Sequence, residues 1–401
     1  MRHDLGWTLD PDITFLNHGS FGATPREVLE VQRSWRDRLE RSPVRFLDGE
    51  LEGALDHVRG VLGAFLSADP DGLVFVPNAT TAMNAVLGSL RFTPGDELLT
   101  DDHEYNATIT TLEAAAARDG ATLVIAPLPF PTTGPDELAA AFLDRVTART
   151  RFAVISHVTS PTGLILPVER LVRELAERGI DTLVDGAHAP GMVSLAIDAL
   201  GAAYYTGNGH KWLCAPKGTA FLWVRADRRD AIRPTTVSHG ANDPRRDRPR
   251  FQLEFDWMGT ADPTAALSLP AAIDWMARQE PAGWPEVMAA NHALVLEGRD
   301  RILGALGLVA PAPDATLGSM AAVAVPWRQA MSDAATRTLH DALFDEDRIE
   351  VPIVGWPVRG ARPTPTDPPS QVLVRVSAQR YNDPSDYDRL ASALARRLIE
   401  A

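Results

Sequence analysis

Lysine is almost absent from this 401-residue chain. Only Lys211 and Lys217 occur, and arginine supplies the other 37 of the 39 basic side chains. Arginine replaces lysine as a solvated positive charge but not as a nucleophile, because its guanidinium stays protonated whereas a buried amine can lose its proton. A lysine retained in such a sequence is therefore a candidate for amine chemistry, such as a Schiff base to a carbonyl compound.

Cysteine and long apolar runs are also scarce. The single cysteine, Cys214, excludes an internal disulfide and indicates a reducing compartment. No apolar run reaches the roughly 18 residues of a membrane helix, and residues 1–12 lack the apolar core of a secretory signal. The net charge of −14 argues against nucleic acid and anionic membranes as partners. We therefore expect a cytoplasmic protein.

Short apolar runs alternate with helix-like segments through the first part of the chain. The strand-like runs are 73–76, 97–100, 122–126, 152–156, 182–184, 203–206 and 220–224. This alternation predicts an α/β fold with a mostly parallel seven-stranded sheet covered by helices. Later, longer helices and fewer strands predict a smaller α+β domain. We place the large domain at 15–258 and the small domain at 259–401, joined by the N-terminal segment 1–14.

Polar residues follow several of these strands, where parallel sheets bind ligands. The segment 78–81, Asn-Ala-Thr-Thr, opens a helix and suits either a phosphate or an ordinary N-cap. Asp185 is either a turn residue or a carboxylate that pairs with a heterocyclic cation. Tyr105 is either a half-buried core residue or an aromatic that stacks on a flat cofactor.

Two basic residues complete the set of candidates. Lys211 follows a glycine-flanked turn after a strand, where the backbone can approach a ligand closely. Arg375 lies inside the apolar run 372–376 and is either a structural ion pair or a clamp for a carboxylate. Together the candidates predict a pyridoxal 5′-phosphate (PLP) enzyme that acts on an amino acid. Nucleotide, zinc and hydrolase motifs are absent from the sequence, and we predict no metal site.

The chain resembles the class V aminotransferases, which are fold type I PLP enzymes, over nearly its full length. It is most similar to their isopenicillin N epimerase-like branch, which also includes cysteine desulfhydrase-like proteins. The motifs that carry the resemblance are 16–22, 78–81, 102–107, 184–188, 209–212 and 375–382. The resemblance implies PLP as cofactor, an amino-acid substrate and a homodimer whose subunits share active sites.

The resemblance also implies a role for each matching residue. Lys211 would form the Schiff base and move the α-proton, and Asp185 would pair with the pyridine nitrogen. Tyr105 stands where relatives place a stacking histidine, and Arg375 would hold the substrate carboxylate. Further cofactor-binding residues would be Ala79, Thr80, Thr81, Ser160, His188, Asn208, His210 and, reaching the neighbouring subunit's phosphate, Thr260. Further substrate-binding residues would be Asn17 and Arg45, the latter entering the partner's site.

The sequence leaves the reaction open. Epimerisation is the leading hypothesis, and it needs a second acid, for which Tyr105, His18 or His103 is a candidate. C–S lysis, as in cysteine desulfhydrases, and transamination are alternatives, and a non-catalytic binding protein is a further one. A desulfurase relay is disfavoured, because the late region 352–370 has no cysteine and Cys214 follows the lysine instead.

Overall fold

The computed structural model describes residues 6–327, 332–364 and 366–400. Residues 1–5 of the predicted N-terminal segment lie outside this description. Residues 328–331, 365 and 401 of the predicted small domain lie outside it as well. Within the described part of the chain, no helix is long and apolar enough to cross a membrane.

A seven-stranded sheet forms the centre of the molecule. The strands of the described chain are β1 (Thr14–Phe15), β2 (Leu73–Val76), β3 (Glu97–Asp101), β4 (Thr122–Ala126), β5 (Thr150–Ser156), β6 (Asp181–Asp185), β7 (Tyr204–Asn208), β8 (Ala220–Val224), β9 (Met320–Val325), β10 (Ile349–Glu350), β11 (Ile353–Trp356) and β12 (Gln371–Ser377). The central sheet has the order β2-β8-β7-β6-β5-β3-β4. Its pairs are parallel except for the two that β8 makes with β2 and β7. The predicted mostly parallel seven-stranded sheet is confirmed.

Helices cover the sheet and build the rest of the molecule. They are α1 (His18–Phe21), α2 (Arg26–Arg41), α3 (Pro43–Arg45), α4 (Leu51–Leu66), α5 (Ala79–Ser89), α6 (Asn106–Asp119), α7 (Pro135–Leu143), α8 (Val168–Ala176), α9 (Ile197–Leu200), α10 (Arg250–Asp256), α11 (Thr264–Leu267), α12 (Leu269–Ala277), α13 (Trp284–Leu306), α14 (Asp333–Asp345) and α15 (Pro384–Glu400). Helices α2 and α4 precede the central sheet in the chain and are not among the elements predicted from the sequence.

The strands of the central sheet are apolar on both faces, as in sheets covered on both sides. On one face, Leu98 and Leu183 join an apolar cluster with residues of α5 and α6. On the other face, Leu99 and Val184 belong to the largest cluster, which includes residues of α8 and α12. Because successive side chains point to opposite faces of a strand, two consecutive buried residues contribute one side chain to each layer of the core.

A second sheet lies in the C-terminal part of the chain. It is antiparallel, with the order β11-β12-β9, and α13 packs against β9. The short β1 pairs in parallel with β10, so the chain just after the N-terminal segment contacts the C-terminal part. The attachment of segment 1–14 to the small domain and the boundary between 258 and 259 stay predictions.

Candidate active site

A cavity of about 350 Å³ opens where β2, β3, β6 and β7 end. It is large enough for a small cofactor. The structure brings together here ten of the residues that the sequence singles out, namely Ala79, Thr80, Tyr105, Ser160, Asp185, His188, Asn208, His210, Lys211 and Arg375. Segments distant in the sequence thus meet at one edge of the sheet.

Lys211 is held by a tight turn after β7. The backbone N–H of Ala215 donates to the carbonyl of Gly209 at 3.0 Å, and Cys214 adopts a left-handed conformation with φ of 59°. Gly22 packs against this turn, and a Cβ there would lie 2.5 Å from the carbonyl oxygen of His210. Only glycine allows the segment after α1 to approach the lysine so closely.

The amine of Lys211 lies in an environment that disfavours its charge. Burial lowers the pKa of Lys211 to about 7, and the nearby charge of Arg375 adds to this effect while Asp185 opposes it. The Nζ atom lies 3.0 Å from Nε2 of His188. A large fraction of the amine is therefore uncharged near neutral pH, which is the form that acts as nucleophile or base.

The start of α5 lines one side of the cavity. Asn78 caps the helix, since its Oδ1 accepts from the backbone N–H of Thr81 at 2.8 Å and from the Thr81 hydroxyl at 3.0 Å. Asn208 Oδ1 accepts from the backbone N–H of Ala79 at 3.0 Å and ties β7 to this helix start. Thr80 lines the cavity. The first turn of a helix with a hydroxyl beside it is suited to an anion such as a phosphate.

His210 lies beside the same region of the cavity. Its Nδ1 lies 2.8 Å from the carbonyl oxygen of Thr219, which can only accept, so Nδ1 carries a proton. Burial lowers the pKa of His210 to about 4, and the nearby charge of Lys211 lowers it further. Without an anion the ring is neutral, and a bound phosphate would favour its charged form.

Asp185 ends β6 and is buried at the edge of the cavity. Its Oδ1 accepts from the backbone N–H of Ala187 at 2.9 Å, and its Oδ2 accepts from the Thr108 hydroxyl at 3.4 Å. Burial raises the pKa of Asp185, although these hydrogen bonds and the charge of Lys211 oppose the rise. A cationic ligand atom beside this carboxylate would stabilise its ionised form.

Glu104 is a cavity residue to which the sequence analysis gave no role. It is fully buried; Oε2 accepts from the Ser156 hydroxyl at 2.8 Å, and Oε1 from the backbone N–H of Tyr105 at 2.7 Å. Burial raises the pKa of Glu104 well above its usual range, and the charges of Asp185 and Asp101 raise it further. The only signal in the sequence was its place beside Tyr105 after a strand, which does not reveal burial.

Arg375 lies on β12 and reaches the cavity without meeting a carboxylate. Its guanidinium donates to the carbonyl of Ser160 through Nη1 and to the hydroxyl of Ser20 at 3.0 Å through Nη2. Among the described residues, no carboxylate lies within 4 Å of it, and its buried Nε has no hydrogen-bond partner. Burial lowers the pKa of Arg375 to about 10. An unpaired buried charge of this kind is suited to an anionic ligand.

Four of the predicted site residues lie away from this cavity. The Thr81 hydroxyl is bound to Asn78, and the Asn17 amide donates to Glu350 at 2.7 Å. Thr260 is exposed, and the Arg45 side chain is 80% exposed and bonded to Glu50. The predicted roles of Thr260 and Arg45 involve a partner subunit, and all four roles stay predictions.

The two histidines considered as a second acid lie outside the cavity. His18 Nε2 lies 3.0 Å from the carbonyl oxygen of Lys211, and His103 Nδ1 lies 2.7 Å from the Thr162 hydroxyl. Burial lowers the pKa of His18 to about 3 and that of His103 to about 4. Tyr105, by contrast, lines the cavity and is 51% exposed. Of these three candidates, Tyr105 alone can reach a ligand.

Comparison with known proteins gives consistent results. The family model "Aminotransferase class-V" matches residues 24–390. The isopenicillin N epimerase of Amycolatopsis lactamdurans is 36% identical over 96% of this chain and 96% of that protein. The isopenicillin N epimerase of Streptomyces clavuligerus is 35% identical over 96% of this chain and 95% of its own length. A probable chloroplastic L-cysteine desulfhydrase of Arabidopsis thaliana is 32% identical over 96% of this chain and 83% of its own.

Solved structures are similar over the same extent. The cystine C–S lyase C-DES in complex with cysteine persulfide has a TM-score of 0.79 and 25% identity, covering 96% of this chain and 98% of that chain. A lysine-to-alanine mutant of C-DES, with glycine covalently linked to the PLP cofactor, has a TM-score of 0.80 and 24% identity, covering 96% and 97%.

The fold and the cavity, together with these similarities, define a fold type I enzyme that depends on pyridoxal 5′-phosphate. The chain belongs to the class V aminotransferase family. The alternative of a non-catalytic binding protein is therefore set aside. The family includes both epimerases and desulfhydrases among the relatives of this chain, so membership leaves the reaction undecided.

Proposed function

We propose that this enzyme acts at the α-carbon of an amino acid and is an isopenicillin N epimerase-like epimerase. The observation that carries the proposal is the buried guanidinium of Arg375, which lacks a carboxylate partner and lines the same cavity as Lys211. An α-carboxylate bound there would place an amino acid beside the amine. The identity of 36% with an isopenicillin N epimerase supports the same reaction class.

The chemistry of the cavity fits the cofactor. Bound PLP supplies a carbonyl for amines and a ring that takes up negative charge from the α-carbon. Lys211 would hold the carbonyl carbon, Asp185 the ring nitrogen and Tyr105 the face of the ring. The phosphate would lie at the start of α5, and the residues proposed to hold it or the phenolic oxygen are Ala79, Thr80, Thr81, Ser160, His188, Asn208, His210 and Thr260.

The chain's own residues then have distinct tasks. Arg375 binds and orients the substrate carboxylate with its Nε and Nη groups, because the guanidinium fork matches a carboxylate. Lys211 removes the α-proton, and its pKa of about 7 makes it an effective base near neutral pH. Tyr105 is the proposed acid that returns a proton from a second position. Tyr105 and Arg375 line the same cavity.

C–S lysis is the second candidate function. The observation that favours it is the 32% identity to a probable L-cysteine desulfhydrase over 96% of this chain. Lysis needs the same removal of the α-proton but loses a β-thiol where an epimerase reprotonates the α-carbon. An accessible Tyr105 hydroxyl in the cavity supports epimerisation, since lysis has no need of a second acid at the α-carbon.

An isotope experiment distinguishes these reactions. Holoenzyme is incubated in D₂O with a panel of L- and D-amino acids and peptides with an α-amino acid terminus. We expect α-deuterium with inversion and no release of pyruvate, sulfide or keto acid. Release of pyruvate and sulfide would establish the lyase instead, and keto acid formation would establish transamination. A panel without α-proton exchange would contradict both candidates.

We also propose that the enzyme is a homodimer with shared active sites. The exposed positions of Thr260 and Arg45 support contacts to a partner, as do exposed apolar side chains such as Phe21 and Val44. Co-expression of a Lys211→Ala chain with an Arg45→Ala, Thr260→Ala chain tests this arrangement. If sites are shared, hybrid dimers contain one intact site and recover activity that neither parent has. Absence of recovery in purified hybrids would contradict sharing.

A cytoplasmic location is part of the proposal. The single cysteine, Cys214, is free and buried, and burial raises its pKa, so its thiol is protected from oxidation. Fractionation of the native cells, followed by immunodetection, tests the location. Recovery in a membrane or secreted fraction would contradict it.

A further inference from the structure

Trp212, His188 and Lys211 form a chain of three hydrogen-bonded side chains at the cavity. The indole Nε1 of Trp212 donates to Nδ1 of His188 at 3.4 Å. On the other side of the same ring, Nε2 of His188 lies 3.0 Å from Nζ of Lys211. Trp212 and His188 are both buried, so water does not compete for the contact between them.

The chemistry of the three groups fixes the positions of their protons. An indole N–H can only donate, so Nδ1 of His188 must accept and carries no proton. Burial keeps the pKa of His188 well below its usual range, and the charge of Arg375 lowers it further. The neutral ring therefore carries its one proton on Nε2. This N–H donates to Lys211, which can accept only as an uncharged amine.

We propose that Trp212 is a positioning residue that fixes the Nε2–H tautomer of His188, and that His188 thereby holds Lys211 as an uncharged amine. The opposite tautomer would present a lone pair to Lys211 and favour its ammonium form. The inference rests on the proposed function of Lys211, because only the uncharged amine bonds to a carbonyl. Trp212 thus acts on the cavity without lining it.

Other charged and titratable groups near Trp212, His188 and Lys211 also affect the charge of the Lys211 amine. Asp185 favours the ammonium form of Lys211, and Arg375 disfavours it. His18 packs against the Trp212 ring with a centroid distance of 4.8 Å, but its Nε2 faces the backbone carbonyl of Lys211 and not the amine. The hydrogen bond from His188 therefore favours the uncharged amine of Lys211 and opposes the effect of Asp185, which favours the ammonium form.

The first test measures the tautomer directly. Full-length chain labelled with ¹⁵N-histidine is freed of cofactor, and the ring nitrogen shifts are recorded at pH 7.5. The chain has ten histidines, and the signal of His188 is assigned by its loss in His188→Gln. We expect a neutral His188 with its proton on Nε2. A proton on Nδ1, or a charged ring, overturns the proposal whatever the variants show.

The second test measures the charge of Lys211. Because the chain has two lysines, ¹³Cε-lysine labelling gives two signals, and Lys217→Arg leaves that of Lys211. At position 212 the indole is replaced by a benzothienyl analogue, which keeps the ring shape but lacks the N–H, or by phenylalanine. We expect the pKa of Lys211 to rise by roughly one unit, the scale of one hydrogen bond. An unchanged pKa with the folded analogue overturns the proposal.

Trp284 provides a matched control. Trp284 is also buried, and its Nε1 donates to the backbone carbonyl of Ile273 at 3.0 Å. Ile273 does not line the cavity. The same analogue at position 284 is expected to leave the pKa of Lys211 unchanged. An equal shift at both positions means a general effect of losing a buried indole N–H and overturns the specific role of Trp212.

These tests are independent of turnover. A chain that has the Nε2–H tautomer but exchanges no α-proton in D₂O contradicts the proposed function and leaves the tautomer result intact. A chain that exchanges the α-proton but has the Nδ1–H tautomer contradicts the role of Trp212 alone.

Discussion

Arg59 and Arg375 are both buried arginines, with 2% and 5% exposure, but only Arg59 meets carboxylates. Arg59 bonds to Asp56 at 2.5 Å and also pairs with Asp256. Arg375 instead donates to a backbone carbonyl and a hydroxyl. The same side chain thus forms a structural ion pair at position 59, whereas at position 375 it is left available for the anionic ligand that we propose.

Replacing these two arginines with methionine should have opposite effects on stability. Arg59→Met removes the guanidinium that pairs with the largely buried Asp256 and leaves that carboxylate only the more distant Arg248, at 3.8 Å, so the free energy of unfolding should fall by up to about 3–5 kcal/mol. Arg375→Met removes an unpaired buried charge and should leave the stability of the cofactor-free chain unchanged or higher. Urea unfolding of both variants measures the difference. Equal losses would show that Arg375 is a structural residue.

The same Arg375→Met variant should bind its amino-acid substrate more weakly. A hydrogen-bonded charge pair contributes about 1.5–3 kcal/mol, so the loss of the guanidinium should weaken amino-acid binding by roughly one to two orders of magnitude. Cofactor absorbance should persist, because no proposed cofactor contact is removed. Titration of the holoenzyme with substrate provides the measurement, and unchanged affinity would contradict the clamp.

Borohydride should fix the cofactor to Lys211 and leave Lys217 unlabelled. The Lys217 amine already donates to the carbonyl of Gly22 at 2.6 Å and lies outside the cavity. Peptide mapping after tryptic digestion locates the label. Lys217→Arg serves as the control and should be labelled like the wild type, whereas Lys211→Arg should be unlabelled and inactive because a guanidinium forms no imine. Label on Lys217 would overturn the assignment.

Tyr105→Phe should separate the two halves of an epimerisation. The variant keeps the aromatic ring but loses the hydroxyl. Lys211 should still remove the α-proton, but no proton should be delivered to the α-carbon from the position of the Tyr105 hydroxyl. In D₂O the expected result is α-deuterium with retention and a loss of inversion of roughly 10²-fold or more. Unchanged inversion would show that another group is the second acid.

Asp101→Asn should change the pH dependence of stability. Asp101 is fully buried, its Oδ2 has no hydrogen-bond partner, and burial together with the charge of Asp102 raises its pKa to about 8. Between about pH 4 and pH 8 the folded chain keeps a proton that the unfolded chain loses, so Asp101 makes stability fall as pH rises. The Asn variant should therefore gain stability relative to the wild type across this range, and the two should converge near pH 4.

Thermal unfolding of cofactor-free wild type and Asp101→Asn at pH 4, 6 and 8 measures this effect. The backbone N–H of His103 donates to Oδ1 of Asp101 at 2.9 Å, and an asparagine oxygen can keep that bond. A stability difference that does not vary with pH would show that the carboxyl titrates normally.

Much of the architecture was predictable because it depends on short stretches of sequence. The apolar run 122–126 coincides with β4, and the run 97–100 lies within the slightly longer β3. The helix α4 carried a readable signal in Leu51, Leu55 and Val58, spaced at helical intervals and buried as that spacing requires. The helix α2 carried a comparable signal in Val28, Trp35 and Leu39, which lie at helical spacing and pack into the core.

The candidate site residues were also predictable from local sequence. Lys211 stood out because arginine had replaced lysine almost everywhere else, and Asp185 because it ends an apolar strand. Parallel strands bring their carboxyl ends to one edge, so residues that follow different strands meet there whatever the details of packing. Position after a strand is a local property, and the sequence reports it.

Tertiary structure alone decided what each of these groups can do. Only the packed fold shows that Glu104 is buried beside Asp185, that His18 and His103 are turned away from the cavity, and that Arg375 meets no carboxylate. The pKa of a side chain and the tautomer of His188 depend on neighbours from distant segments and on exclusion of water, which no local pattern encodes. The sequence singled out Lys211 as the candidate reactive amine, and the packing around it lowers the pKa of this amine to about 7.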